Sequence, residues 1–138
     1  MVSLMNWSDD LLTGIEEIDD QHRNLFLLIN RLILHKRTHG PRENLLDVLH
    51  VLVAYSQAHF RSEDHHMAAS EYPLARSHSH EHLTFTKNIN NFMIDYERGD
   101  EELSDKMLIF LRKWWVTHVA ESDQMFVKHL KETGYIPS

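Results

Sequence analysis

His59 and Glu63 stand four residues apart at the end of an apolar stripe, and no other feature restricts the fold of this chain more. At about 100° per residue, four steps return to nearly the same face of a helix, one turn along. Leu45, Leu49, Leu52 and Ser56 lie on the same stripe, so an imidazole and a carboxylate both point into a core. Burying ionisable groups without partners costs on the order of several kcal/mol. A metal ion is the partner best suited to a neutral imidazole beside a carboxylate. The fold must therefore bring further ligands to the same place.

The rest of the chain reads as helix. Residues 1–18 lack sustained periodicity and form an N-terminal arm that packs Trp7, Leu11, Leu12 and Ile15 onto the body. Asp19 or Asp20 can cap a first helix over roughly 19–38, with His22, Phe26, Ile29 and Ile33 at helical spacing. Gly40-Pro41 separates it from a second helix, about 42–68, which Tyr72-Pro73 brings to an end. A third, roughly 75–97, carries His78, His82, Phe85, Ile89 and Phe92 on one face and stops at Gly99. Asp100-Glu101-Glu102 places acid where a helix dipole favours it. The fourth helix then carries Leu108, Leu111, Trp115 and His118, continues through Asp123, Phe126 and Leu130, and ends near Gly134, with Pro137 beyond. No strand pattern or internal repeat interrupts the series. The expectation is an all-α single domain over 1–138, an antiparallel up-down-up-down four-helix bundle with an N-terminal arm.

In such a bundle the start of one helix lies beside the end of the next. His22 is early in the first helix, and His59 and Glu63 are late in the second. His78 and His82 are early in the third, and His118 and Asp123 are late in the fourth. Alternating direction collects all seven at one end. Neutral imidazoles offer too few donors for such a set to satisfy itself, which leaves metal as the partner. Composition agrees. The chain has twelve histidines and no cysteine, so thiolate sites, iron–sulfur clusters and disulfides are excluded. A net charge of −7 argues against nucleic acid or an anionic membrane as partner. There is no signal-peptide pattern and no apolar run of membrane-spanning length, so a cytoplasmic protein without membrane insertion is expected. His35, His39, His50 and His129, with His65 and His66, are read as surface residues. Five imidazoles, two bridging carboxylates and one solvent-derived oxo or hydroxo bridge fill all but one position of two octahedra, which suits two non-haem iron ions. The open position would take a small ligand such as dioxygen.

One spacing resists this scheme. His118 and Asp123 are five residues apart and diverge by about 140° on a regular α-helix. A π-type turn of roughly 4.4 residues would realign them. Trp114 and Trp115 precede His118 on the inward side, where both rings compete for one interior, and Trp115 should wall the site.

These elements resemble the bacterial hemerythrins. The match runs through Trp7 with Thr13-Gly14-Ile15, Ile18-Asp19-Asp20-Gln21-His22, Asn30-Arg31-Leu32, His59-Phe60-Arg61-Ser62-Glu63, Tyr72-Pro73, His78 with His82, and His118 with Asp123. The resemblance implies that His78, His82 and His118 hold one iron, that His22 and His59 hold the other, and that Glu63 and Asp123 bridge. It implies reversible dioxygen binding at the second iron by a protein that is not an enzyme and works as a monomer to store, deliver or scavenge oxygen. Sensing, or peroxide or nitric oxide handling at the same centre, is the alternative. Where the family often has a second glutamate, Asp64 stands here and is expected to face outward. Trp114-Trp115 replaces the more usual Trp-Leu.

Overall fold

Each apolar stripe becomes a helix. In the computed structural model, which describes residues 4–136, α1 spans Glu16–Arg37, α2 Glu43–Ala69 and α3 Ala75–Glu97. The fourth rod is composite: α4 over Leu103–Trp114, a π-helical segment over Trp115–Ser122, and α5 over Asp123–Glu132. The arm contributes a short 3-10 turn at Asp9–Leu11 before α1. The first three residues of the expected arm, and Pro137, lie outside the described residues.

Side-chain bonds establish the antiparallel order. Early Gln21 on α1 donates to late Ser62 on α2 at 3.1 Å. Late Asp64 on α2 accepts from early Ser79 on α3 at 3.2 Å. Early Glu81 on α3 meets Ser122 at the end of the π segment at 2.8 Å. Late Lys36 on α1 pairs with early Asp105 on α4. The bundle is thus up-down-up-down, as expected.

Apolar burial is divided. The larger core contains Leu25, Ile29, Leu32, Leu49, Leu52, Phe85, Met107 and Leu111. A smaller cluster of Met67, Tyr72, Phe126, Val127, Leu130 and Ile136 closes the other end. The ionisable residues lie between the two.

The first helix differs from expectation at its start. It begins at Glu16, three residues before Asp19, and its N-cap, Ile15, provides no side-chain bond. Buried Asp19 instead reaches back from within the first turns. It accepts from the Thr13 amide at 2.7 Å, the Thr13 hydroxyl at 2.8 Å and the Gly14 amide at 3.3 Å. The arm is secured by a carboxylate under it rather than by a cap in front of it. Asn30 adds a second anchor, exchanging bonds with the backbone of Met5 at 2.7 and 3.1 Å. The α1–α2 turn also departs from simple expectation. Its left-handed residue is His39, with φ 50°, while Gly40 is required by crowding, since a Cβ there would lie 2.5 Å from the His35 ring.

His35 and His129 are half-buried and bonded rather than solvated, His35 to the Pro41 carbonyl at 2.7 Å and His129 to the Ser70 carbonyl at 2.8 Å. His39 and His50 are exposed as expected. Asp19→Ala strands the buried Thr13 amide and leaves the Thr13 hydroxyl only its longer bond to the Ile15 carbonyl, and a buried unmade bond of this kind costs about 1–3 kcal/mol. Chemical denaturation should show a loss of that size, while the helical circular dichroism of the native state persists.

Candidate metal centre

Seven side chains converge between the two apolar clusters. His22, His59, Glu63 and His118 are fully buried, and Asp123, His78 and His82 nearly so. Each arrives from the expected helix: His22 from α1, His59 and Glu63 from α2, His78 and His82 from α3, and His118 and Asp123 from the two ends of one π turn.

That turn resolves the spacing mismatch. The Asp123 amide bonds to the His118 carbonyl, five residues back. A wider turn carries Asp123 round to the face that His118 occupies.

All five imidazoles aim Nε2 inward. Glu63 Oε1 lies 3.0 Å from Nε2 of His59, His78 and His82, and 3.2 Å from that of His118. Asp123 is shared differently. Its Oδ1 sits 3.1 Å from both His78 and His118, while its Oδ2 sits 2.8 Å from His22 and 3.5 Å from His59. One carboxylate therefore spans two groups of imidazoles.

Protons cannot satisfy this assembly. Buried Glu63 Oε2 has no hydrogen-bond partner, and His59 Nε2 and Asp123 Oδ1 face groups at 3.0 and 3.1 Å without a well-aligned hydrogen bond. Two four-residue subsets place their ligand atoms within 4.8 Å of one another: Glu63, His78, His82 and His118, and His59, Glu63, His118 and Asp123. The donor set, nitrogen and oxygen without sulfur, fits iron. Electrostatics point the same way. Burial drives the His59 and His78 imidazoles toward neutrality, but Glu63 and Asp123 outweigh it and hold both up at about 9. The same carboxylates hold His118 well above its usual range, also against burial. Burial would protonate Glu63 and Asp123, yet the histidines, His59 for Glu63 and His118 for Asp123, keep both carboxyls well below the usual range. His82 is pushed down by burial and by the neighbouring His118 and His78 charges. The carboxylates hold a cation demand that protons meet in part; a metal taking those sites releases the protons.

The outer nitrogens are fixed from behind. His59 Nδ1 faces Gln21 Oε1 at 2.9 Å, and the Gln21 amide is oriented by its bond to Ser62. His118 Nδ1 faces Glu81 Oε1 at 3.0 Å. These contacts hold a proton on Nδ1 and present the Nε2 lone pair to the centre. Helical periodicity marks only the inward stripe, so Glu81, one position before His82, gives no sequence signal. Asp64 is outward-facing as expected, though its Oδ1 comes within 3.6 Å of His82 Nδ1. His66 is not an idle surface residue: it bridges Glu17 and Tyr135, each at 2.7 Å.

Aromatic rings clamp three imidazoles by their faces. Phe60 stacks on His82 at 3.9 Å, Trp114 on His118 at 4.0 Å and Tyr55 on His59 at 5.2 Å. The two adjacent tryptophans do not compete for one space. Trp114 packs against Phe85 and Phe60, while Trp115 turns to the other side, 6.5 Å from His22 and against Phe26 and Trp7.

Comparison with known proteins agrees with this arrangement. Residues 13–130 match the sequence profile described as Hemerythrin HHE cation binding domain. The chain is 30% identical to a bacteriohemerythrin of Stenotrophomonas maltophilia, over 94% of this chain and 84% of that protein. It is 28% identical to one of Clostridium acetobutylicum, over 88% of this chain and 97% of that protein. A crystal structure of a hemerythrin variant superposes with a TM-score of 0.80 at 27% identity, over 94% of this chain and 98% of the other.

The π segment is expected to serve alignment alone. Deleting exposed Glu121 sets His118 and Asp123 four apart on a regular helix, so bound iron per chain should be retained. Inserting an alanine after Glu121 sets them six apart and should abolish it. Metal analysis of both variants checks this.

Proposed function

We propose, for a chain that belongs to the hemerythrin HHE cation-binding family, that it binds dioxygen reversibly at a non-haem di-iron centre and so stores, delivers or scavenges oxygen. The proposed ligands are His78, His82 and His118 on one iron and His22 and His59 on the other, with Glu63 and Asp123 between them. The observation that carries this reading is the division of Asp123: one oxygen faces His78 and His118, the other His22 and His59. Two ferrous ions held by these residues would supply the electrons for reversible dioxygen binding. The protein's contribution is position and shelter. Glu63 and Asp123 hold the ions together and offset their charge. Gln21 and Glu81 orient imidazoles, and the stacked rings exclude water from their faces.

The side with fewer imidazoles, around His22 and His59, is where a ligand position remains by count. Trp115 borders His22, with Phe26 packed against Trp115, and Tyr55 stacks on His59. An apolar wall there keeps out water and anions that would displace bound oxygen and leave ferric iron. Binding rather than turnover is the proposed role. The profile's span from 13 to 130 supports reading 1–138 as one domain, here proposed to act as a monomer in the cytoplasm. No helix among the described residues is long and apolar enough to cross a membrane.

Purified protein should hold two irons per chain. Glu63→Ala and Asp123→Ala should lose most of that iron, whereas His80→Ala, an exposed neighbour, should keep it. One zinc per chain with no iron uptake, or equal iron in all three variants, contradicts the assignment. Trp115→Leu should admit azide faster and alter the autoxidation rate with iron content intact, while a distant core truncation, Phe92→Ala, should do neither. Unchanged rates in Trp115→Leu would make this ring a core filler.

A further inference from the structure

The groups behind the ligand imidazoles differ between the two sides of the centre. Behind His118 stands a carboxylate: Glu81 Oε1 is 3.0 Å from Nδ1, and Ser122 donates to both Glu81 oxygens at 2.8 and 3.0 Å. The serine fixes the carboxylate's orientation. Near His82 lies a second, more exposed carboxylate, Asp64, at 3.6 Å, too far to hydrogen-bond, so His82 Nδ1 has no hydrogen-bond partner. On the other side His59 Nδ1 meets a neutral amide, Gln21, at 2.9 Å. His22 Nδ1 is buried and has no hydrogen-bond partner. Anionic charge behind the ligands is therefore confined to the side of His78, His82 and His118.

A carboxylate accepting the outer N–H of an imidazole draws the proton toward itself and makes Nε2 a stronger donor. Stronger donation and added negative charge favour the higher oxidation state of the metal. A neutral amide orients the ring equally well without this effect.

We infer that Glu81 is a positioning residue that sets the two irons at unequal potentials, so that the iron held by His22 and His59 takes up the first electron on reduction and the iron held by His78, His82 and His118 takes up the second. The inference rests on the ligand assignment proposed above. It gives the site of ligand binding and the site of easier reduction to the same iron. The unequal number of imidazoles already distinguishes the two irons, and Glu81, which touches neither metal nor oxygen, widens the gap.

The test is a potentiometric titration of the iron-loaded protein with a mediated chemical reductant, alongside iron analysis. The unsubstituted chain should show two one-electron steps. Glu81→Gln keeps an acceptor for His118 and removes the charge. It should raise the second step alone, with the ferric-to-ferrous balance shifted about three- to tenfold, or roughly 30–60 mV at ~59 mV per decade for one electron. Gln21→Glu places a carboxylate behind His59 and should lower the first step alone by a similar amount. Together the two changes should draw the steps close or exchange their order. Both steps unmoved in Glu81→Gln with two irons bound overturns the inference, as does an equal shift of both. Should Glu81→Gln lose iron, Gln21→Glu decides: an unmoved first step overturns it. An unsubstituted chain that fails to bind two irons defeats the ligand assignment instead, and this inference falls with it.

Discussion

Glu63 and Asp123 are the two charges on which this bundle depends. Both are ionised and fully buried, one from the end of α2 and the other from the start of α5. Isolated carboxylates in such a place would neutralise or drive the fold apart. Here five imidazoles surround them, one or two from each of the four rods, so the charge is shared across every helix. The need to deliver those imidazoles to one level accounts for the antiparallel order, the short connections and the π segment. Without a demand for cations at this level there would be no reason for a wide turn in the fourth rod.

Packing then makes the layer rigid. The larger core ends in Phe60, Tyr55, Phe85 and Trp114, and three of these rings lie flat on ligand imidazoles. On the far side, Phe126 and Tyr72 approach His78 at 5.9 and 6.4 Å and close the site from below. All five imidazoles meet the shared carboxylates at Nε2, three are held by their faces, and His59 and His118 are also fixed by hydrogen bonds at Nδ1. Such redundancy preorganises a metal site, because little side-chain freedom remains to be lost when an ion binds. It also keeps the centre dry, as the proposed reversible binding of dioxygen at reduced iron requires.

Much of this was legible in the sequence because a helix projects its chemistry with a fixed period. His59 with Glu63, and His78 with His82, declare a face by four-residue spacing alone, and chain direction then places them at one end. The five-residue spacing of His118 and Asp123 pointed to a π turn for the same reason. What periodicity could not reach lies off the inward stripe. Glu81 sits beside the stripe and acts sideways on the neighbouring rod; only the distance between α3 and the π segment reveals it. Asp19 looked like a cap because it stands before an apolar run, but its bonds run backward to Thr13, which is a matter of arm geometry. Trp114 and Trp115 are neighbours and so stand about 100° apart on a helix, which turns their rings to opposite sides of the ligand-bearing face. His66 and His129 lock chain ends together through partners far away in sequence, Tyr135 and Ser70, and histidine on a polar face gives no hint of that.

The claim at the centre of this account is that seven buried side chains make a pair of irons able to take up dioxygen and give it back. The most direct measurement is the visible absorption spectrum of the anaerobically reduced protein, recorded before air is admitted, after it, and again after oxygen is removed. A colourless reduced protein that gains an intense charge-transfer band in air and loses it when oxygen is withdrawn, through repeated cycles, is the predicted result. An iron-loaded protein that shows no new band in air, or one whose band persists when oxygen is removed, would contradict it.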